Sequence, residues 1–87
     1  MTVEVPAIVG NAIGSRLVPI DATTAAEALA ALRAHPRLGP LLFDESTKLR
    51  PHVLLFVNET DVRHLPSLDT PLEPSDRLAI VQAVSGG

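Results

Sequence analysis

Eighty-seven residues, 46% of them hydrophobic, make one domain with a single modest core. Two Phe, no Trp or Tyr and a net charge of −3 supply neither the stacking platforms nor the basic patch of a nucleic-acid binder. The absence of cysteine removes disulfides, thiolate metal sites and a cysteine nucleophile together, and no segment has the apolar length of a membrane span. Met1-Thr2-Val3 lacks the basic start of a secretory signal, so the expected address is cytoplasmic.

TVEVPAIVG, Thr2 to Gly10, alternates with Val3, Val5, Ala7 and Val9 on one face and reads as a half-buried strand. Pro6 donates no ladder hydrogen bond and marks a local irregularity in it. Gly10-Asn11 and Gly14-Ser15 supply turn chemistry before SRLVPID, Ser15 to Asp21, so the two strands read as a hairpin with a moderately long loop. TTAAEALAALRAHP carries the clearest helix signals. Thr24 and Glu27 form a capping box, the hydroxyl accepting from the Glu27 amide while the carboxylate returns to the Thr24 amide. Ala25, Ala28, Leu29 and Leu32 recur at helical spacing until Pro36 ends the pattern, and the alanines suit close packing on a sheet. From Pro36 to His52, three prolines and Gly39 indicate a long irregular connection anchored by Leu41, Leu42 and Phe43.

HVLLFVNETDV, His52 to Val62, reads as a strand, a turn at Asn58-Glu59 and the start of a partner strand. Val53, Leu55 and Val57 share one face, while Leu54 and Phe56 make the other apolar too. The last strand, Arg77 to Ala83, has the same character, with Leu78 and Ile80 alternating with Ala79 and Val81. The fold class is α+β: one main helix covers one face of a mixed four- to five-stranded sheet. That arrangement leaves Leu54, Phe56, Ala79 and Val81 on the open face as a partner-docking surface, provided the third and last strands adjoin. The three histidines lack metal-ligand spacing, and neither a Ser-His-Asp set at motif spacing nor a Gly-rich phosphate loop is present. Neither a bound metal nor independent catalysis is expected.

The order of these elements, the VNETDV hairpin, the SDRLAIVQAV strand and the terminal Gly86-Gly87 together resemble the ubiquitin-like β-grasp sulfur carriers of the MoaD/ThiS family. The similarity spans nearly the whole chain and is most specific from Leu49 onward; VEVP and the AV before the glycines look most like the CysO branch. Pro74-Ser75-Asp76 stands where such carriers often have a Gly-Asp turn, and QAVSGG replaces the PPVSGG-like ending of molybdopterin synthase subunits, which points away from that pathway.

The resemblance implies a β-grasp domain over residues 1–83 and a free tail over residues 84–87. It also implies a protein cosubstrate rather than an enzyme. A MoeB/ThiF-like activating enzyme would use ATP to adenylate the Gly87 carboxylate, and a sulfurtransferase or persulfide donor would turn the adenylate into a thiocarboxylate. A client enzyme making cysteine or a sulfur-containing secondary metabolite would then accept the sulfur. No cofactor is expected on the chain itself. Val84, Ser85 and Gly86 would form the recognised tail, about 13 Å long with Gly87 at roughly 3.3 Å per residue. Gly86 and Gly87 lack the Cβ atoms that would block a narrow tunnel. Two alternatives remain open: the small subunit of molybdopterin synthase, and a ubiquitin-like modifier joined through Gly87 to lysines of other proteins.

Overall fold

Pro6 stops the first strand early and starts a helix in its place. In the computed structural model, which describes residues 1–82, β1 covers Thr2–Glu4 and α1 covers Ala7–Ile13. The expected strand from Thr2 to Gly10 is therefore corrected after its first half. Proline at a helix start loses nothing by lacking an amide proton, because the first turn has no acceptor for it. The Gly10 amide closes that turn onto the Pro6 carbonyl at 2.8 Å. Gly14, with φ 85°, ends α1 in the left-handed conformation that glycine adopts without Cβ strain. Val9 and Ile13 lie four residues apart and turn one stripe inward, Val9 fully and Ile13 partly buried.

The hairpin survives around this helix. β2, Leu17–Pro19, pairs antiparallel with β1, Val3 opposite Val18. Next comes α2, Ala25–Ala34, capped as expected at its start: Thr24 Oγ1 accepts from the Glu27 amide at 3.1 Å. The returning carboxylate reaches one residue further than expected, to the amide and hydroxyl of Thr23, each at 2.7 Å. Ala25, Ala28 and Leu32 are buried and Leu29 partly so.

The connection beyond Pro36 contains a further short helix, α3, Leu38–Leu42. His35 Nδ1 accepts from the amides of Arg37 and Leu38, both at 3.1 Å, so the histidine fastens the turn between α2 and α3. Gly39 sits where a Cβ would run into the backbone carbonyl of Arg33, and only glycine lets the two helices meet this closely. Of the expected anchor, Leu42 and Phe43 are buried while Leu41 points outward.

β3, Val53–Val57, β4, Thr60–Asp61, a 3₁₀ turn at Val62–His64 and β5, Leu78–Gln82, complete the sheet. Its order is β2-β1-β5-β3-β4. β5 is the central strand, parallel to β1 and antiparallel to β3. Val3, Val53, Leu55, Val57, Leu78 and Ile80 face the helices and form the core with Leu32, Leu38 and Leu42. The two turns at one end of this sheet are tied together. Asn58 Nδ2 donates to Asp76 Oδ1 at 3.1 Å, and the Arg77 amide donates to Asn58 Oδ1 at 3.0 Å. Asp76 also accepts from the Glu73 amide at 2.8 Å, and these bonds lower its pKa from the ordinary carboxylate value. Asp76 and Asn58 thus hold together a turn at Pro74-Ser75-Asp76 that contains no glycine.

Candidate functional site

The sheet face turned away from α2 gathers the side chains that the core does not use. Leu54 lies directly opposite Val81 and Phe56 directly opposite Ala79, so β3 and β5 are adjacent and the four residues form one contiguous patch. Val81 is exposed, whereas Leu54, Phe56 and Ala79 are half-buried. Full exposure of all four is not what the fold produces, because directly opposed side chains stand close enough to shield one another.

The register extends this patch across the sheet. Leu17 pairs with Glu4, Glu4 with Ala79, Ala79 with Phe56 and Phe56 with Asp61, a single row over all the strands. Opposed residues share a face. Leu17, 60% exposed, therefore adds an apolar end that strand parity shows but only strand order locates. Acidic residues punctuate the row, each answered by an arginine. Arg16 lies 4.0 Å from Glu4 in an exposed pair, and its Nε donates to the Val5 carbonyl at 3.2 Å. Arg63 Nη2 donates to the buried Asp61 carboxylate at 3.0 Å, and its amide donates to Asp61 Oδ1 at 2.9 Å. The arginine bond holds the Asp61 carboxyl below its ordinary value, against an opposing contribution from burial. Nothing in the spacing of Arg16 or Arg63 marks them beforehand; their positions follow from the hairpin and the 3₁₀ turn.

A shallow groove of about 300 Å³ runs between β1 and β5, lined by Pro6, Arg16, Ala79, Val81 and Gln82 among others. It leads along β5 to the end of the described chain. Val84, Ser85, Gly86 and Gly87, expected to form the reactive tail, lie outside the described residues. The patch is thus an apolar surface beside the end of the described chain, with Arg16 at its margin.

Among the described residues, no group of three or more His, Asp or Glu side chains is placed to hold a metal ion. His52 and His64 are exposed, and His35 is occupied at the helix turn. No described helix is long and apolar enough to cross a membrane.

The model of the ThiS family matches residues 3–87. Small archaeal modifier protein 1 from Haloferax volcanii superposes with a TM-score of 0.77 at 31% identity, covering 100% of this chain and 98% of the other. The complex of BexX and CysO from Amycolatopsis orientalis contains a chain that matches with a TM-score of 0.76 at 30% identity, over 99% and 98% of the two chains. A ubiquitin-related modifier 1 homolog from Drosophila ananassae is 35% identical over 48 residues, which is 55% of this chain and 48% of that protein. The chain thus spans about half the length of that relative.

Proposed function

This chain belongs to the ThiS family of ubiquitin-like β-grasp carriers and modifiers, and we propose that it is a sulfur carrier whose cargo rides on the Gly87 carboxyl. The observation that carries this reading is the family match running through Gly86-Gly87 in a chain with no thiol of its own. A carboxylate is a poor electrophile, so it needs activation before sulfur can be attached. An ATP-dependent activating enzyme lets the carboxylate attack the α-phosphate, forming the acyl-adenylate and releasing pyrophosphate. Hydrosulfide then displaces AMP and leaves the thiocarboxylate. A persulfide donor would give an acyl disulfide first, which a thiol reduces to the same product. The thiocarboxylate is the nucleophile that a client enzyme presents to its own substrate.

The open face serves this chemistry by docking. Leu54 and Phe56 on β3 and Ala79 and Val81 on β5 share one face of the strand pair that leads to the chain end, so a partner bound there receives that end at a defined origin. The five residues after Gln82 reach about 16 Å at roughly 3.3 Å each. The complex of CysO with BexX is an instance, in a similar protein, of a carrier held by another protein. We place the cycle in the cytoplasm and assign the client to cysteine or sulfur-containing secondary metabolism.

The test is thiocarboxylate formation from the purified chain, an activating enzyme, ATP and sulfide, read by mass spectrometry as sulfur-for-oxygen exchange at the terminus. Adding one residue after Gly87 should abolish loading without changing the melt. Loading of the extended chain, without trimming, refutes the reading. Gly86→Val should also fail, because a β-branched side chain restricts the tail and obstructs a narrow approach.

The names of two similar proteins favour a second reading. Both the archaeal and the fly relative are described as modifiers, and the same adenylate can acylate a lysine. Branched peptides carrying the Gly87 remnant on lysines, in digests from the native host, would assign that role.

A further inference from the structure

The cations of this acidic protein are not spread evenly. Of its seven Lys and Arg residues, Arg33, Lys48, Arg50 and Arg63 line one cleft on the helix side of the sheet. The cleft measures about 480 Å³, and Leu29 of α2, Leu49, core-facing Val53 and Leu68 contribute its apolar surface. That volume lies in the range of roughly 300–1,000 Å³ found for ligand sites. Leu68 is 45% exposed, an apolar side chain that the domain's own core does not claim. The hairpin joining Phe43 to Leu49 carries Lys48 to this position, with Thr47 at its tip in the left-handed region, φ 64°.

The charges here are only partly answered. Asp61 takes Arg63, and Arg50 Nη2 donates to the Pro40 carbonyl at 3.0 Å. Among the described residues, Arg33, Lys48 and Arg50 form no ion pair. The acidic groups nearby, Asp44 and Glu45, line an adjoining groove that Arg33 and Arg50 also border, and Asp44 Oδ1 is taken by the amides of Ser46 and Lys48. Three cations outside any described ion pair, around an aliphatic floor, fit a ligand with several carboxylates and a branched aliphatic group between them. Phe43 is 6% exposed and presents no open ring for a nucleobase.

We propose that this cleft docks an acidic segment of a partner protein, with a leucine or isoleucine on its floor and flanking Asp or Glu side chains against Arg33, Lys48 and Arg50. The cleft and the Leu54–Val81 face belong to opposite sides of the sheet, so one partner can hold the domain here while another takes the open face and the tail. The inference does not depend on which cargo Gly87 carries.

The test uses the full ¹⁵N-labelled chain and the probe peptide acetyl-Asp-Glu-Leu-Leu-Glu-Asp-amide. Amide shifts should cluster on Lys48, Leu49, Arg50 and Leu68, with weak affinity as expected below the standard interface size. The peptide with Asn and Gln in place of its acids should bind at least about tenfold more weakly, and so should the exposed double variant Arg33→Glu/Lys48→Glu. The melt of this variant should match the parent's, since both side chains are exposed. Shifts confined to Leu54, Phe56 and Val81, or equal binding by the neutral peptide or by the double variant, overturn the proposal. AMP producing the same shifts would make the site a phosphate site instead. Changes on simple dilution would assign the cleft to a second copy, and displacement of the Val84–Gly87 signals by peptide would assign it to the chain's own tail. Either result also overturns it.

Discussion

Val81→Asp separates docking from folding more cleanly than a change at Phe56, which is half-buried and directly opposite Asp61. Val81 is 42% exposed and faces Leu54 across the β3–β5 pair. Complete burial of a side chain of this kind is worth about 1.5–3 kcal/mol. The 42% still exposed therefore corresponds to about 0.6–1.3 kcal/mol when a partner covers it. An unpaired carboxylate trapped in the same contact adds about 1–3 kcal/mol of desolvation. The combined loss of about 2–4 kcal/mol predicts a rise of roughly 30- to 900-fold in the apparent Michaelis constant for loading. The folded domain should lose less: aspartate in a strand costs up to about 1 kcal/mol, or about 4–8 °C in melting temperature. The assay is thiocarboxylate formation at limiting activating enzyme, beside a thermal melt. Leu41→Asp is the matched control, since Leu41 is 41% exposed but stands on α3 in the helix layer. Normal loading by Val81→Asp, or equal damage from Leu41→Asp, refutes the assignment of the open face to docking.

Gly39→Ala should destabilise the domain by about 1–3 kcal/mol, because its methyl meets the Arg33 backbone carbonyl and the α2–α3 contact must open; urea unfolding measures it, and an unchanged midpoint contradicts that packing. Thr47→Gly should raise stability by about 1 kcal/mol, since a β-branched residue at φ 64° is strained where glycine is not; calorimetry decides the sign. Asp61, held below its ordinary carboxyl value of 3.8 by Arg63, stabilises the fold above that pH and loses its contribution as pH falls through its lower folded value. Asp61→Asn should therefore flatten the acid limb of the melting curve below about pH 4, whereas an acid limb identical to the parent's excludes Asp61 as its source.

The amino-acid sequence by itself determined what depends on near neighbours. The Thr24 cap on the Glu27 amide, the stripe of Ala25, Ala28 and Leu32, and the parity that separates Leu55 from Phe56 and Ile80 from Val81 are all local patterns, and each appears in the fold, with only the Glu27 carboxylate displaced to Thr23. The exception within that range is instructive: Val5 and Val9 satisfy strand and helix spacing alike, so PAIVGNAIG reads either way until Pro6 and Gly14 are taken as its two ends. Only the tertiary structure decided the rest. Alternation says which side chains share a face but not which strands adjoin, so β5 at the centre, and with it the row from Leu17 to Asp61, had to come from long-range pairing. The close meeting at Gly39 and the gathering of Arg33, Lys48, Arg50 and Arg63 around one cleft have the same origin. Residues 6 to 30 positions apart become neighbours only when burial of the common core fixes how helix, hairpin and sheet stack.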